Sequence, residues 1–434
     1  MQPISSINIK SKFLFYFKNK ILRNFSYLFV FQILNTFFPL FTIPIITKVV
    51  TINNFGIFNY ANSYLAYFGL LINYGFEYSA SRNISNINLD SKSELSKIFS
   101  VVFFSKILLT LAASVLVCIV FYYDRNIYQN SLLNFSIFLG MFQFLFMPTF
   151  FFIGISDMKY IVVLTFFSKF FHLLIIVFFL KNNDNFIMVN FVSSFIQIIL
   201  GLVGLFICIK KFGLHLKIVR FKEIYFELKN GFPNFLSWAV ISFYTTFNVI
   251  LLGLLTTVES VAYYSTANKV LIVITQLILM PISLVLFPYI SKLVNQDKKM
   301  AVDLIDKLGI FIGLTIFGMC CLVFLFSETI INLIFGIEYL KSTSQLKIMA
   351  FIPLFIFFSN LYGIQGLLGF KLDRYFFYMT ILLAAISLIL NVIFVPKYKE
   401  MAASIILFLI EFLAAALSYF LFHFQIKVKS LKNV

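Results

Sequence analysis

Twelve runs of about twenty or more mainly apolar residues, separated by short polar breaks, leave this chain little choice of fold. They lie near 24–49, 56–79, 98–122, 131–153, 160–180, 186–209, 231–256, 261–290, 308–326, 346–369, 375–395 and 401–424. A helix needs about 20 apolar residues to cross a bilayer core, whereas a barrel strand needs only about 10, so the span length points to helices and excludes a barrel. Composition agrees: 61% of the 434 residues are hydrophobic and 12% charged, about half the charged share with which an ordinary soluble domain covers its surface. The expected fold is an all-α integral membrane protein of twelve transmembrane helices. None of the breaks is long enough for a soluble catalytic domain, which points to a transporter rather than an enzyme.

The formal charge of +17 would suggest a nucleic-acid partner in a soluble protein; here it reports topology. The first tail and alternate breaks (80–97, 154–159, 210–230, 291–307, 370–374 and 425–434) hold 24 of the 34 Lys and Arg, a net +15, against +1 for the opposite breaks. Positive charge marks the cytoplasmic side, so both termini are expected in the cytoplasm. Residues 1–23 carry five basic residues and precede an apolar run without a small-residue cleavage site, which predicts a retained first span rather than a signal peptide. The four Cys lie in apolar runs with no CxxC and no ligand-like spacing to His172, His215 or His423, so neither a metal nor a cofactor is expected.

The halves of the chain repeat. Residues 51–65, TINNFGIFNYANSYL, align with residues 257–271, TVESVAYYSTANKVL, at a constant offset of 206, which pairs Thr51 with Thr257, Gly56 with Ala262 and Asn62 with Asn268. Six spans on either side predict two six-helix bundles with a site between them. The expected organisation is a basic tail (1–23), a first bundle (24–209), a basic linker (210–230), a second bundle (231–424) and a closing tail (425–434).

Polar side chains are expensive in lipid, so a polar stripe at helical spacing should face a cavity or another helix. Asn35 with Gln32 and Thr42, Asn62 and Asn73 with Asn59, Asn248 with Asn234, Ser237 and Thr245, and Asn268 and Gln276 with Ser265 and Thr275 form such stripes on spans 1, 2, 7 and 8. These spans are the expected cavity walls; bonding between neighbouring helices is the plainer reading of any single residue. Lys269, on the outer third of span 8, reads as a cation awaiting an anionic group or as a snorkelling side chain. Lys169, near the middle of span 5, needs water, a carboxylate or an anionic ligand. Lys106 stands near the inner end of span 3, where snorkelling is equally open. Glu411, central in span 12, and Glu77 are candidates for ion coupling or for buried pairing, and an ion pair with Arg82 is the favoured reading of Glu77. Pro39, Pro44, Pro281 and Pro288 are candidate bend points.

Several segments resemble oligosaccharide-lipid flippases of the Wzx type, in the superfamily that also holds MATE multidrug exporters and the lipid II flippase. They are Phe55-Gly56-Ile57-Phe58, Tyr74-Gly75-Phe76, Phe104-Ser105-Lys106, Phe152-Ile153-Gly154 before Met158-Lys159-Tyr160, Ala267-Asn268-Lys269 followed by Pro281 and Phe287-Pro288, Asn360-Leu361-Tyr362-Gly363-Ile364-Gln365, and Lys399-Glu400-Met401-Ala402-Ala403. Ile153 and Met401 depart from the usual Gln and Gly. The resemblance implies a MATE-like fold and translocation of an undecaprenyl-diphosphate-linked oligosaccharide, an O-antigen or capsule unit of lipopolysaccharide or polysaccharide biosynthesis, by alternating access. It further implies a polysaccharide polymerase and chain-length proteins as partners beside the membrane lipids. On that reading the protein sits in the cell inner membrane, Lys269 and Lys169 suit the diphosphate, and Arg82 with the Asn and Gln residues completes the substrate-binding set for diphosphate and sugars. The rival readings are a small-molecule exporter, which would favour an acidic cavity, and a glycan polymerase, which would carry a large outer loop.

Overall fold

The computed structural model describes residues 8–124 and 131–431; Arg125 and the extremities of both expected tails lie outside the described residues. Every regular element among them is helical. The first half holds α1 (Asn8–Val49), α2 (Ile52–Asn73), α3 (Phe76–Ser85), α4 (Lys92–Tyr123), α5 (Ser131–Phe146), α6 (Thr149–Gly154), α7 (Lys159–Phe179) and α8 (Phe186–Phe212). The second holds α9 (Phe221–Thr245), α10 (Phe247–Leu255), α11 (Val258–Gln296), α12 (Lys298–Leu325), α13 (Ser327–Phe335), α14 (Thr343–Met349), α15 (Ile352–Phe358), a π-helical stretch (Ser359–Leu368) and α16 (Asp373–Leu431).

Among the described residues nine helical stretches are long and apolar enough to cross a membrane, or ten with the α9–α10 pair, which bends by 45°. The stretch Asp373–Ile426, 54 residues long, is enough for two spans, since Lys399 (φ 51°, ψ −134°) interrupts the helix just after Pro396. With the 22 residues of α2, the arrangement is consistent with twelve spans. Several expected spans are nonetheless broken: 56–79 at Tyr74–Gly75, 131–153 before Pro148 and 231–256 at Thr246.

Each of the first two breaks has a local cause. Tyr74 (φ 47°) and Gly75 (φ 76°) take left-handed conformations in succession, which glycine adopts freely and tyrosine does not. The Tyr74 ring stacks on Phe235 of α9 with centroids 4.6 Å apart, holding the turn in place. Pro148 has no N–H to give the Phe144 carbonyl four residues back, so the helix stops and that carbonyl loses its partner. Lys106 takes over: its ammonium donates to Phe144 O (2.9 Å), Met147 O (3.2 Å) and Asn73 Oδ1 (3.1 Å), and the side chain is only 2% exposed. Snorkelling, left open for Lys106 by the sequence, is therefore replaced by capping of a buried helix end.

The repeat is visible at the starts of α2 and α11. Thr51 accepts the N–H of Asn54 and Thr257 that of Ser260, each at 3.4 Å, matching caps at the 206-residue offset. These two helices make the most extensive contact between the halves, and they cross at Gly56, where a Cβ would lie 1.9 Å from the Val258 carbonyl oxygen. Phe55 closes the same end edge-on against Phe335 and Tyr339. At the opposite end, which carries the basic breaks and is called the basic end below, α3 and α4 meet α9 through Ser79–Glu227 (3.3 Å) and Lys97–Glu223 (2.7 Å). The halves thus touch at both ends. One apolar core runs through both of them, and two smaller cores lie within one half each.

Candidate functional site

A cavity of about 490 Å³ opens inside the first half, walled by α1, α2, the start of α3, α5, the start of α6, α7 and α8. Its polar wall begins at the basic end with Glu77 and Thr149, whose hydroxyl donates to the Glu77 carboxylate at 2.7 Å. The expected Glu77–Arg82 pair does not form: Arg82 is exposed and stands apart from the cavity walls. Ser81 hydroxyl donates instead to the Glu77 carbonyl, which keeps that turn of α3 closed on itself. Asn73 faces the same region and ties it to buried Lys106.

Further along, Asn35 and Asn62 line the cavity while donating to the carbonyls of Phe31 (3.1 Å) and Phe58 (2.8 Å) on their own helices. Their amide oxygens are thereby presented as acceptors, a disposition suited to sugar hydroxyls. On the facing side, Lys169 and His172 stand three residues apart on α7 and both reach the cavity. His172 Nδ1 lies 2.7 Å from Ser193 Oγ, and the Ser193 hydroxyl donates to Val189 O at 2.7 Å. That hydroxyl has one proton, so Nδ1 is the donor of the pair and the imidazole is fixed against α8. Lys269 approaches from α11 of the second half. Its ammonium lies 5.9 Å from the Phe55 ring centroid, and its charge acts on both Lys169 and His172. Two basic side chains of the first half thus line the cavity, and Lys269 of the second half lies within electrostatic reach of them without being among its walls, an arrangement that suits an anion.

The remaining expected residues fall elsewhere. Gln276 accepts the Thr36 hydroxyl at 3.0 Å, joining α11 to α1 within the membrane-spanning part. Asn268 is half-buried beside Lys269 but is not among the cavity walls. Asn248 is buried in the second half, where it donates to Tyr244 O and accepts from Asn391 Nδ2 at 3.0 Å. Ser237 and Thr245 bond carbonyls of their own helix, the plainer of the two readings of that stripe. Glu411 lies 6% exposed on α16, with the Tyr244 and Tyr264 hydroxyls within electrostatic reach and the Asn248–Asn391–Ser387 cluster adjoining them. The polar side chains thus form two separate groups, a basic cavity in the first half and a small cluster around a carboxylate in the second.

The α8 wall was missed in the sequence. Asn190, Ser193, Ser194 and Gln197 line the cavity at spacings of 3, 1 and 3, the same signal that marked spans 1 and 2. Gln143 of α5 is a lone polar residue in an aromatic run and gives no periodic signal.

Residues 21–294 match a family model described as polysaccharide biosynthesis protein. A protein of Escherichia coli K12 described as an O-antigen transporter is 26% identical over 395 residues, which covers 91% of this chain and 95% of that protein. Among solved structures, the lipid II flippase MurJ in an inward closed conformation superposes with a TM-score of 0.69 at 15% identity, over 91% of this chain and 86% of that one. An inward-facing MATE multidrug resistance transporter gives 0.65 at 13% identity, over 91% and 98%. The expected MATE-like fold of two helical bundles therefore stands, and the proteins it resembles are transporters and flippases rather than enzymes. With more than half of its length matched by the family model, this chain belongs to the polysaccharide biosynthesis protein family.

Proposed function

We propose that the chain is a flippase that moves an undecaprenyl-diphosphate-linked oligosaccharide, an O-antigen or capsule repeat unit, from the cytoplasmic to the outer leaflet of the cell inner membrane. The observation that carries this reading is that Lys169 and His172 line a cavity whose other polar walls are amides, hydroxyls and the Glu77 carboxylate, with the Lys269 ammonium of the second half within electrostatic reach of both. A diphosphate needs cations and a sugar needs donors and acceptors, and this site offers both. The basic end is read as cytoplasmic, which places both termini there. An inside-negative potential then assists the outward passage of about two negative charges by roughly 4–5 kcal/mol per 100 mV.

The reading of an exporter of cationic small molecules is disfavoured by the sign of the cavity. Glu77, its one carboxylate, is already bonded by Thr149 and stands near the Lys106 ammonium. Glu411 and its amide and hydroxyl neighbours are the better candidates for ion coupling, away from the substrate. A polymerase and chain-length proteins are the expected downstream partners, since a flipped repeat unit must be consumed by chain growth.

The test is reconstitution of the purified chain in liposomes with a labelled polyprenyl-diphosphate oligosaccharide, with and without an imposed potential. Protein-dependent appearance of label in the opposite leaflet, faster with the inside negative, is expected. Drug transport without lipid flipping would reverse the assignment.

A further inference from the structure

Beside the polar cavity, on the other side of α3, lies a second hollow of about 910 Å³ whose walls are mainly apolar. It is formed by α9, the π-helical stretch and the start of α16, with Phe232, Leu236, Trp238, Ile364, Phe376 and Phe377 supplying its apolar surface. Trp238, 44% exposed, and Phe232, 48% exposed, open it toward the surroundings of the bundle, which in a membrane are lipid. Across its mouth Tyr78 of α3 stacks on Trp238 with centroids 6.0 Å apart.

Its position gives the hollow meaning. Glu77 and Tyr78 are successive residues at the start of α3, yet Glu77 belongs to the wall of the polar cavity and Tyr78 to that of the apolar groove. One helical turn therefore separates a hydrogen-bonding, basic chamber from an aromatic one at the same end of the molecule. The charged side chains on the groove are Asp373 and Arg374, adjacent and of opposite sign, so the groove offers no net attraction to a phosphate. Its occupant is apolar, and a molecule that fills both hollows is polar at one end and hydrocarbon at the other.

We propose that this groove seats the polyisoprenoid chain of the carrier lipid while the glycan and diphosphate occupy the polar cavity. The proposal rests on the flippase reading above and adds a site to it. Tyr78 lies in the first half of the chain and Trp238 in the second, so the groove is complete only while the halves meet at the basic end. The chain is consequently gripped while the basic end is closed and freed when the halves part there to face the leaflet of origin.

The experiment uses the full-length protein in nanodiscs of defined phospholipid, with a polyprenyl-diphosphate oligosaccharide and its farnesyl counterpart bearing the same head. Binding of the long-chain lipid should exceed that of the farnesyl lipid by about tenfold, through packing of the additional isoprene units against the groove walls, since both chains lie in hydrocarbon before they bind. Trp238→Ala and Phe377→Ala should each lower long-chain binding more than farnesyl binding and so narrow that preference. A photoreactive phenylalanine at Leu236 should label the polyprenyl chain, and excess long-chain lipid should suppress its labelling of phospholipid. Equal affinity for both chain lengths, or phospholipid labelling undiminished by the long-chain lipid, would overturn the groove assignment alone. Failure of the unaltered protein to bind either lipid would overturn the flippase reading with it.

Discussion

The crossing of α2 and α11 sets a quantitative test of how the halves move. Gly56 brings the backbone of α2 so near that a methyl group in its place would sit 1.9 Å from the Val258 carbonyl oxygen and 3.4 Å from the Ala262 Cβ. Contacts below 3.0 Å essentially never occur, so Gly56→Ala requires the two helices to separate locally by at least about 1.1 Å, and the nearest atom is backbone that no rotamer change removes. Overpacking a tight contact costs typically ~1–3 kcal/mol. That cost falls on the state in which this end is closed and is absent from a state in which it opens. At 1.36 kcal/mol per factor of ten, the open population should rise about 5- to 150-fold. The readout is a cysteine at Ala262, fully buried against the crossing, in a chain whose four native cysteines have been replaced. Its rate of labelling by a membrane-impermeant maleimide, applied from the side opposite the basic end, should rise by the same factor in Gly56→Ala, with normal protein level. Equal labelling with and without the alanine would show that this crossing does not open, and the rocking of the halves about it would have to be abandoned.

Other outcomes follow from the same geometry. Lys106→Met strips the Phe144 and Met147 carbonyls of their donor and should destabilise the detergent-solubilised protein by about 1–3 kcal/mol; adding Pro148→Ala restores an N–H to Phe144, so the double variant should recover part of that loss in thermal unfolding. Strict additivity of the two would refute the capping argument. Lys169→Gln and Lys269→Gln should each lower flipping of the diphosphate lipid by about tenfold or more, the worth of one charge-assisted contact, at unchanged membrane content; full activity in both would remove them from the site. Glu411→Gln should abolish stimulation of flipping by an imposed ion gradient while sparing stimulation by potential, and a gradient response equal to that of the unaltered protein would separate Glu411 from coupling.

The spans, the basic end and the repeat were legible because each depends on many residues at once: hydropathy summed over a window, charge summed over breaks, and two aligned threonine caps. The breaks were less legible, since Tyr74–Gly75 and Pro148 look like ordinary residues of an apolar run until their packing is known. Asn35, Asn62 and Asn73 of spans 1 and 2 line a cavity, which lies within the first half rather than between the halves. Spans 7 and 8 carry the same polar spacing, but Ser237, Thr245 and Asn248 spend it on local carbonyls or within the second half. A stripe says that a face is polar and is silent about whether its partner is a backbone oxygen, another helix or a cavity. Lys106 and Glu77 show the same limit for charges, because their partners, two carbonyls beside a proline and a threonine 72 residues away, are set by tertiary packing alone.

The seating of the cavity within one half has a thermodynamic consequence. A ligand held by α1, α2, α5, α7 and α8 travels with those helices as a passenger, so most of its contacts are the same whichever leaflet is faced and contribute nothing to driving the exchange. Lys269 is different, because it belongs to the other half. Its distance from Lys169 and His172 changes as the halves move, and with it the electrostatic hold on an anion. On the flippase reading this borrowed charge is the contact that differs between loading and release, and exchanging it for a neutral side chain should bring the affinities on the two sides closer together.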